Sequence, residues 1–156
     1  MGRISPLPVM GSVGQMRAEK GGEMIAAIPL LIFPVLAYNL FALIFAGGLS
    51  ADAQPKMEQV LFKVTMASRV EWAVHTADLF VFSSLIILFI ELLRATHSGR
   101  VAIINHSLSM LLFIACLVEF LLKGACATSA FFMITAMVLL DVLAGFIVSL
   151  ASARGD

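Results

Sequence analysis

The segment Thr128–Ala151 constrains this chain more than any other stretch of its sequence. It is apolar over almost its whole length, and a helix needs about 20 such residues, each rising about 1.5 Å, to cross a bilayer. A single carboxylate, Asp141, lies about halfway along it. An ionised acid at that depth costs about 2.5–3.5 kcal/mol or more, so Asp141 must face protein or water rather than lipid.

The composition of the whole chain agrees with a membrane protein. Of its 156 residues, 61% are hydrophobic and 13% are charged, whereas soluble domains are about 45–50% apolar and about 25% charged. The ten Lys and Arg residues balance the ten Asp and Glu residues, so no basic surplus indicates a nucleic-acid partner. The predicted partners are the lipid bilayer and either other membrane protein subunits or further copies of this chain.

The apolar stretches predict an all-α membrane protein, a bundle of four transmembrane helices. We interpret residues 1–23 as a disordered cytoplasmic segment and residues 24–156 as the transmembrane domain. Short turns join the last three spans, so these are expected to be antiparallel neighbours. The predicted spans cover about 24–46, 73–93, 101–122 and 128–151.

The positive charges predict the orientation of this bundle. Cytoplasmic loops of membrane proteins carry the excess of Lys and Arg. Six of these residues would lie on the side of the two termini and four on the other, which favours cytoplasmic termini. The first group is Arg3, Arg17, Lys20, Arg94, Arg100 and Arg154, and the second is Lys56, Lys63, Arg69 and Lys123.

The loop Leu49–Trp72 should then face outward. Its second half alternates between two parities and is rich in residues that favour strands, which predicts a short hairpin turning near residues 67–69. An amphipathic helix at the membrane surface is the alternative. Either element could bind a partner protein, and Trp72 would anchor the next span at the interface. The predicted partner-binding residues are Phe62, Val64, Met66, Val70 and Trp72.

Four polar residues are expected near the outer end of the bundle. His75 and Asp78 are three residues apart and Glu119 and Lys123 are four apart, so each pair shares a helix face. One interpretation is a site that takes up protons or cations through the two carboxylates. The other is a set of interfacial groups that bind the loop, with Lys123 neutralising Glu119.

A second polar group is expected near the inner end. Glu91 and Arg94 can pair at the headgroup level, and Asn105 and His106 lie on the facing helix. These residues predict a clamp that holds the turn between the second and third spans by hydrogen bonds. The alternative is a pH-sensing role for His106, because histidine titrates near neutral pH.

Asp141 admits two interpretations. No Lys or Arg lies at its depth in any predicted span, so it should be protonated and hydrogen-bonded or reached by water. Asn39, Ser83 and Ser84 are the polar residues predicted at the same level. The carboxyl group either forms a hydrogen bond between helices, contributing roughly 0.6–2 kcal/mol, or carries protons at mid-membrane.

No motif indicates an enzyme or a cofactor. The sequence has no metalloprotease helix, phosphate-binding loop or dinucleotide fingerprint, and Cys116 and Cys126 lack metal-ligand spacing and are expected to be free thiols. Haem is rejected because His75 and His106 are predicted at opposite faces of the bilayer. No catalytic residue, cofactor or metal site is therefore predicted.

A distinctive pattern covers residues 60–156. It consists of Asp78, Glu91–Thr96, Asn105–Ser109, Glu119–Phe120, Ser129–Phe132, Asp141–Phe146 and Ala153–Asp156. This pattern resembles a family of small, uncharacterised four-helix inner-membrane proteins of proteobacteria, and the resemblance implies a bacterial inner membrane and no chemistry. We expect a non-enzymatic accessory or assembly subunit of a larger complex, or else a proton-linked channel or transporter that acts as a homo-oligomer through Asp141, Asp78 and Glu119.

Overall fold

The structure, a computed structural model, describes residue Gly21 and residues 27–95 and 100–154. The predicted disordered segment 1–23 thus lies outside the described residues except for Gly21, and so does most of the turn 94–100. The elements follow one another as α1 (Ile32–Phe45), α2 (Gln54–Met57), β1 (Val60–Thr65), β2 (Glu71–His75), α3 (Thr76–Ala95), α4 (Arg100–Leu122), a 3₁₀ turn (Gly124–Cys126) and α5 (Ser129–Arg154).

Three of the helices are long and apolar enough to span a membrane. The qualifying stretches are Thr76–Arg94, Ile103–Leu122 and Ser129–Ala151, which agree with the last three predicted spans to within a few residues. The predicted first span contains a described helix of only 14 residues, α1. Such a helix rises about 21 Å, less than the roughly 30 Å of a bilayer core. The fourth span therefore stays a prediction.

The long helices bury polar groups and expose apolar ones. Their exposed residues are mainly Leu, Ile and Phe, a surface that would be unfavourable in water and is favourable in lipid. A buried polar residue in a membrane helix faces its neighbours, where it finds hydrogen-bond partners. This arrangement indicates an integral membrane protein. The buried polar residues of these helices are Thr76, Ser84, Glu91, Ser109, Thr135 and Asp141.

Helix α5 is the centre of the bundle, because it packs along both α3 and α4. Helix α1 adds Tyr38, which is fully buried and whose ring lies 5.4 Å from that of Phe80 on α3 and 4.9 Å from that of Phe131 on α5. Aromatic rings at these separations attract each other beyond their buried area. Tyr38 therefore ties α1 to the two helices that it contacts.

The loop between α1 and α3 contains an antiparallel hairpin, which confirms the predicted strand pairing over the amphipathic helix. We call the end of the bundle at this hairpin the outer end and the opposite end the inner end, whichever side of the membrane each of them faces. Its turn runs from Met66 to Arg69, whose amide donates to the Met66 carbonyl at 2.8 Å, and Arg69 adopts a left-handed conformation (φ 64°). A turn followed by a left-handed residue is a common hairpin connection. The turn thus lies where the sequence predicted it.

The start of the second span was predicted wrongly. Residues 73–75 belong to β2, where Ala73 pairs with Lys63 and His75 with Val60, and the helix begins at Thr76. The amide of Thr76 donates to the Gln59 carbonyl at 3.0 Å, which closes the base of the hairpin. Hydropathy alone cannot separate an apolar strand from the first turn of an apolar helix.

The loop after α1 crosses the turn between α4 and α5. The Ala125 amide donates to the Leu49 carbonyl at 3.2 Å. A Cβ atom on Gly124 would lie 2.9 Å from the Ser50 carbonyl oxygen, a contact too short for any residue other than glycine to fit without a backbone shift. This approach holds the outer ends of α1, α4 and α5 together.

Candidate functional site

Glu91 is the most completely coordinated buried charge at the inner end of the bundle. Its residue is 2% exposed, and its carboxylate accepts from the Leu30 amide at 2.7 Å and from Asn105 Nδ2 at 2.9 Å. Arg94 Nη1 lies 3.5 Å from Glu91 Oε2. Three chain segments therefore meet at one carboxylate, and the structure brings together three members of the predicted inner clamp.

The fourth predicted member, His106, packs against a different helix. A Cβ atom on Gly145 of α5 would overlap the His106 ring, so glycine allows α4 and α5 to approach closely at this level. His106 Nδ1 is buried and has no hydrogen-bond partner among the described residues. His106 is therefore a contact between α4 and α5 rather than part of the hydrogen bonds around Glu91.

Asp141 is bound by a residue that the sequence analysis did not single out. Ser109 Oγ donates to Asp141 Oδ2 at 2.6 Å, and both residues are buried. This separation is at the short end of the usual range for hydrogen bonds between oxygen atoms. Ser109 follows Asn105 by one helical turn on the same face of α4, and that spacing is the signal that could have identified it.

The predicted partners of Asp141 are wrong. Asn39 Nδ2 donates to Glu119 Oε2 at 2.9 Å, and the hydroxyls of Ser83 and Ser84 both donate to the Phe80 carbonyl of their own helix. Asn39 was placed at mid-membrane because the first span was taken to start at Met24. In the structure it faces the outer part of α4, and about 15 Å of helix rise separates Ser109 from Glu119.

The outer end holds its own polar network. Lys123 Nζ lies 2.7 Å from Glu119 Oε1, which is the neutralising pair that one interpretation predicted. Cys126 Sγ lies 3.8 Å from Asn39 Oδ1 as a weak donor. The Tyr38 hydroxyl donates to the Ala125 carbonyl at 2.9 Å and contacts the Thr128 hydroxyl. These bonds join α1 to the α4–α5 turn.

The remaining outer pair lies at the base of the hairpin. Asp78 Oδ2 accepts from the His75 amide at 2.8 Å and lies 3.2 Å from His75 Nδ1. Both side chains are exposed, which fits a group that fixes the junction of β2 and α3. His75 and Asp78 thus have partners different from those of Glu119, and the structure does not join the two pairs into one constellation.

The two cysteines are free thiols. Cys126 lies in the 3₁₀ turn, and burial, with a smaller contribution from the Glu119 charge, raises its pKa to about 11. Only the thiolate is nucleophilic or binds metals, so this thiol is unreactive near neutral pH. Within residues 27–95 and 100–154, no group of three or more His, Cys, Asp or Glu side chains is placed to hold a metal ion.

The predicted partner-binding residues are all exposed, and three of them, Phe62, Val64 and Trp72, share one face of the hairpin. Phe62 pairs with Val74 and Val64 with Trp72, and side chains of directly opposite residues lie on the same face of a sheet. We call this the apolar face. The exposed fraction of the five predicted residues ranges from 39% at Val64 to 63% at Val70.

Comparison with known proteins does not identify a relative of this chain. No protein-family model, no curated protein and no solved structure matches it. The resemblance to small inner-membrane proteins of proteobacteria therefore stays a prediction.

Proposed function

We propose that this chain is a non-enzymatic protein of the bacterial inner membrane. In this proposal it is an accessory or assembly subunit of a larger complex and binds its partner through the hairpin. The observation that carries the proposal is that the described sheet has two strands, so that each is an edge strand. An isolated two-stranded hairpin is marginally stable in water, and an unpaired edge is a template for pairing with another chain.

The hydrogen bonding of the turn shows which backbone groups are available. The Met66 amide donates to the Val70 carbonyl at 2.9 Å, and bonded and non-bonded pairs alternate along an antiparallel ladder. The next pair, Thr65 and Glu71, is therefore a non-bonded one, and its backbone groups point away from the hairpin. A partner strand would pair with these groups, while side chains such as Val64 and Val70 would select that partner.

The helical part of the chain supports the proposal as a scaffold. Glu91, Glu119 and Asp141 each have hydrogen-bond donors on neighbouring segments, which is what a bundle needs to hold its own helices together. In the proposed topology α1 belongs to a fourth span, both termini are cytoplasmic and the hairpin faces outward. Four spans place both termini on the same side of the membrane, and that side carries the excess of positive charge.

A pair of proline substitutions tests the proposal. Thr65→Pro places a ring on the outer edge of β1, where its missing amide hydrogen removes a bond to a partner and none within the hairpin. Ala67→Pro is the control, because it lies at the second position of the turn, where proline is favoured. We expect the partner to co-purify from native membranes in mild detergent with the wild type and Ala67→Pro, and to be lost with Thr65→Pro. Retention of every partner by Thr65→Pro would contradict the proposal.

A proton-linked channel or transporter is the second candidate. The observation that favours it is Asp141, a buried carboxyl group at mid-helix that is bonded to a hydroxyl group and lies one helical turn before Gly145, against which the His106 ring packs. Asp78 and Glu119 lie elsewhere with partners of their own. If this candidate is correct, Asp141→Asn abolishes a pH-dependent flux in proteoliposomes that Glu71→Gln, on the exposed hairpin, leaves unchanged. Equal flux in all three proteins excludes it.

A further inference from the structure

The hairpin has two faces of opposite character. Lys63 and Glu71 lie on one face, where Nζ and Oε2 are 3.2 Å apart. The other, apolar face carries Phe62, Trp72 and Val74. A strand pair of this kind is amphipathic, and contact of its apolar face with water is unfavourable.

A groove of about 650 Å³ lies between the base of this apolar face and the bundle. Phe62, Trp72 and Val74 form one wall, the start of α3 as far as Leu85 forms the second, and residues from Ser129 to Met133 of α5 close it. Grooves and cavities of about 300–1,000 Å³ with mainly apolar walls are typical of small-molecule sites. This groove therefore has the size and lining of a binding site.

The polarity of the groove changes along its length. Of the described residues that line it, only Asp78 and Ser129 carry charged or hydroxyl side chains, and both lie at the starts of their helices. Seven residues of α3 separate Asp78 from Leu85, which is about 10 Å of helix rise. The groove is thus polar at the end nearest the hairpin base and apolar at the end within the bundle, as a lipid is from headgroup to acyl chain.

The groove is also continuous with the surface that faces the membrane. Leu79, Phe82 and Leu85 line it and are more than half exposed, and the same helix continues with exposed Phe89 and Leu93. All five residues lie within the candidate span Thr76–Arg94. A groove open at that depth contacts hydrocarbon, in which neither water nor an unpaired backbone is stable.

We propose that this groove holds one acyl chain of a phospholipid from the leaflet on the hairpin side. The headgroup lies at the rim formed by Asp78 and Ser129, and the chain runs down α3 towards Leu85. The bound chain covers Phe62, Trp72 and Val74, which gives the amphipathic hairpin a cover on its apolar face. The site is separate from the strand edges of the proposed partner interface.

Trp72 provides the readout, because it is the single tryptophan of the chain and lines the groove. The probe is phosphatidylcholine with brominated acyl chains, which quenches a tryptophan that it contacts, titrated into the full-length protein in detergent micelles. We expect saturating loss of more than half of the emission. Ala77→Phe, which fills the groove from α3, should weaken the apparent binding at least threefold, and Val74→Phe, which fills it from β2, should do the same.

Leu111→Phe is the control, because Leu111 is an exposed residue of α4 that does not line the groove; it should leave the titration unchanged. Native mass spectrometry of the same proteins should find one retained lipid in the wild type and the control and none in the filled variants. Quenching that never saturates, or that is equal in all variants, overturns the proposal. A native mass that corresponds to two copies of the protein without lipid also overturns it. Thr65→Pro should leave the titration unchanged, so the outcome is independent of the partner experiment.

Discussion

The interior of the helical bundle and the outer hairpin differ in the residues that lie in an unusual environment. In the bundle the unusual groups are polar, and among the described residues each buried carboxyl group has a donor on another helix or segment: the Leu30 amide and Asn105 for Glu91, and Ser109 for Asp141. In the hairpin the unusual groups are apolar and exposed, and the strand edges have no partner among the described residues. Among the described residues, the buried carboxyl groups of the bundle are therefore partnered, whereas the apolar face and the strand edges of the hairpin are not covered.

The largest contrast between the two regions should be in thiol chemistry. With a pKa of about 11, about 0.1% of Cys126 is thiolate at pH 8, against roughly a quarter of an ordinary exposed cysteine. We expect a cysteine introduced by Ala67→Cys at the hairpin tip to react with maleimide at least about 100-fold faster than Cys126, as measured by peptide mass spectrometry.

The same difference predicts a pH dependence. Between pH 8 and pH 10 the reaction of Cys126 should accelerate about tenfold per pH unit, because the thiolate fraction rises by that factor below the pKa. Comparable rates for the two cysteines at pH 8 would show that the end of the bundle near Cys126 is open.

Glu91→Ala should cause the largest loss of stability. It removes the acceptor for the Leu30 amide and for Asn105, and leaving these two donors without an acceptor lowers the free energy of unfolding by about 3 kcal/mol. Glu71→Ala, on the exposed hairpin, should change it by less than about 0.5 kcal/mol. Unfolding in mixed micelles measures both. Equal effects would mean that the inner clamp is not structural.

Gly145→Ala should lower the free energy of unfolding by an intermediate amount. Its added methyl group overlaps the His106 ring, and overpacking of this kind costs about 1–3 kcal/mol. Ser149→Ala, one turn further along α5 and exposed, is the matched control and should be nearly neutral. If Gly145→Ala unfolds like the wild type, α4 and α5 do not approach as closely as described.

Loss of the Ser109–Asp141 hydrogen bond should cause the smallest measurable change in the free energy of unfolding. A double-mutant cycle with Ser109→Ala and Asp141→Asn should yield a coupling energy of about 0.6–1.7 kcal/mol, the range for hydrogen bonds between membrane helices. Unfolding free energies of the four proteins provide it. A coupling near zero would mean that Ser109 does not hold Asp141 and would favour the proton-carrier interpretation.

The sequence predicted the long helices well because their signal is summed over many residues. Hydropathy identifies the last three spans, since each needs about 20 apolar residues whatever its neighbours are. The hairpin was also predictable, because alternation with period two differs from every helical period. Ala73 to His75 were misassigned because a short apolar strand directly preceding an apolar helix has no boundary in hydropathy.

Partners across helices were predicted less well than pairs within one helix. Glu119 and Lys123, four residues apart, form the expected pair, because their spacing alone places them together. Asn39 was assigned to Asp141 from an assumed depth, whereas in the structure its side chain bonds Glu119 near the other end of α4. The bond of Leu30 to Glu91 uses a backbone amide, for which a sequence has no side-chain signal.

Hydrogen exchange in native membranes tests the comparison between bundle and hairpin most directly. The outward-facing amide of Thr65 and its neighbours in β1 should exchange rapidly in the purified chain and be protected several-fold or more in the native membrane, where a partner strand pairs with them. Amides of α3 and α5 should be protected equally in both preparations. If β1 exchanges equally fast in both, the hairpin has no strand partner and the proposed role as a subunit is wrong.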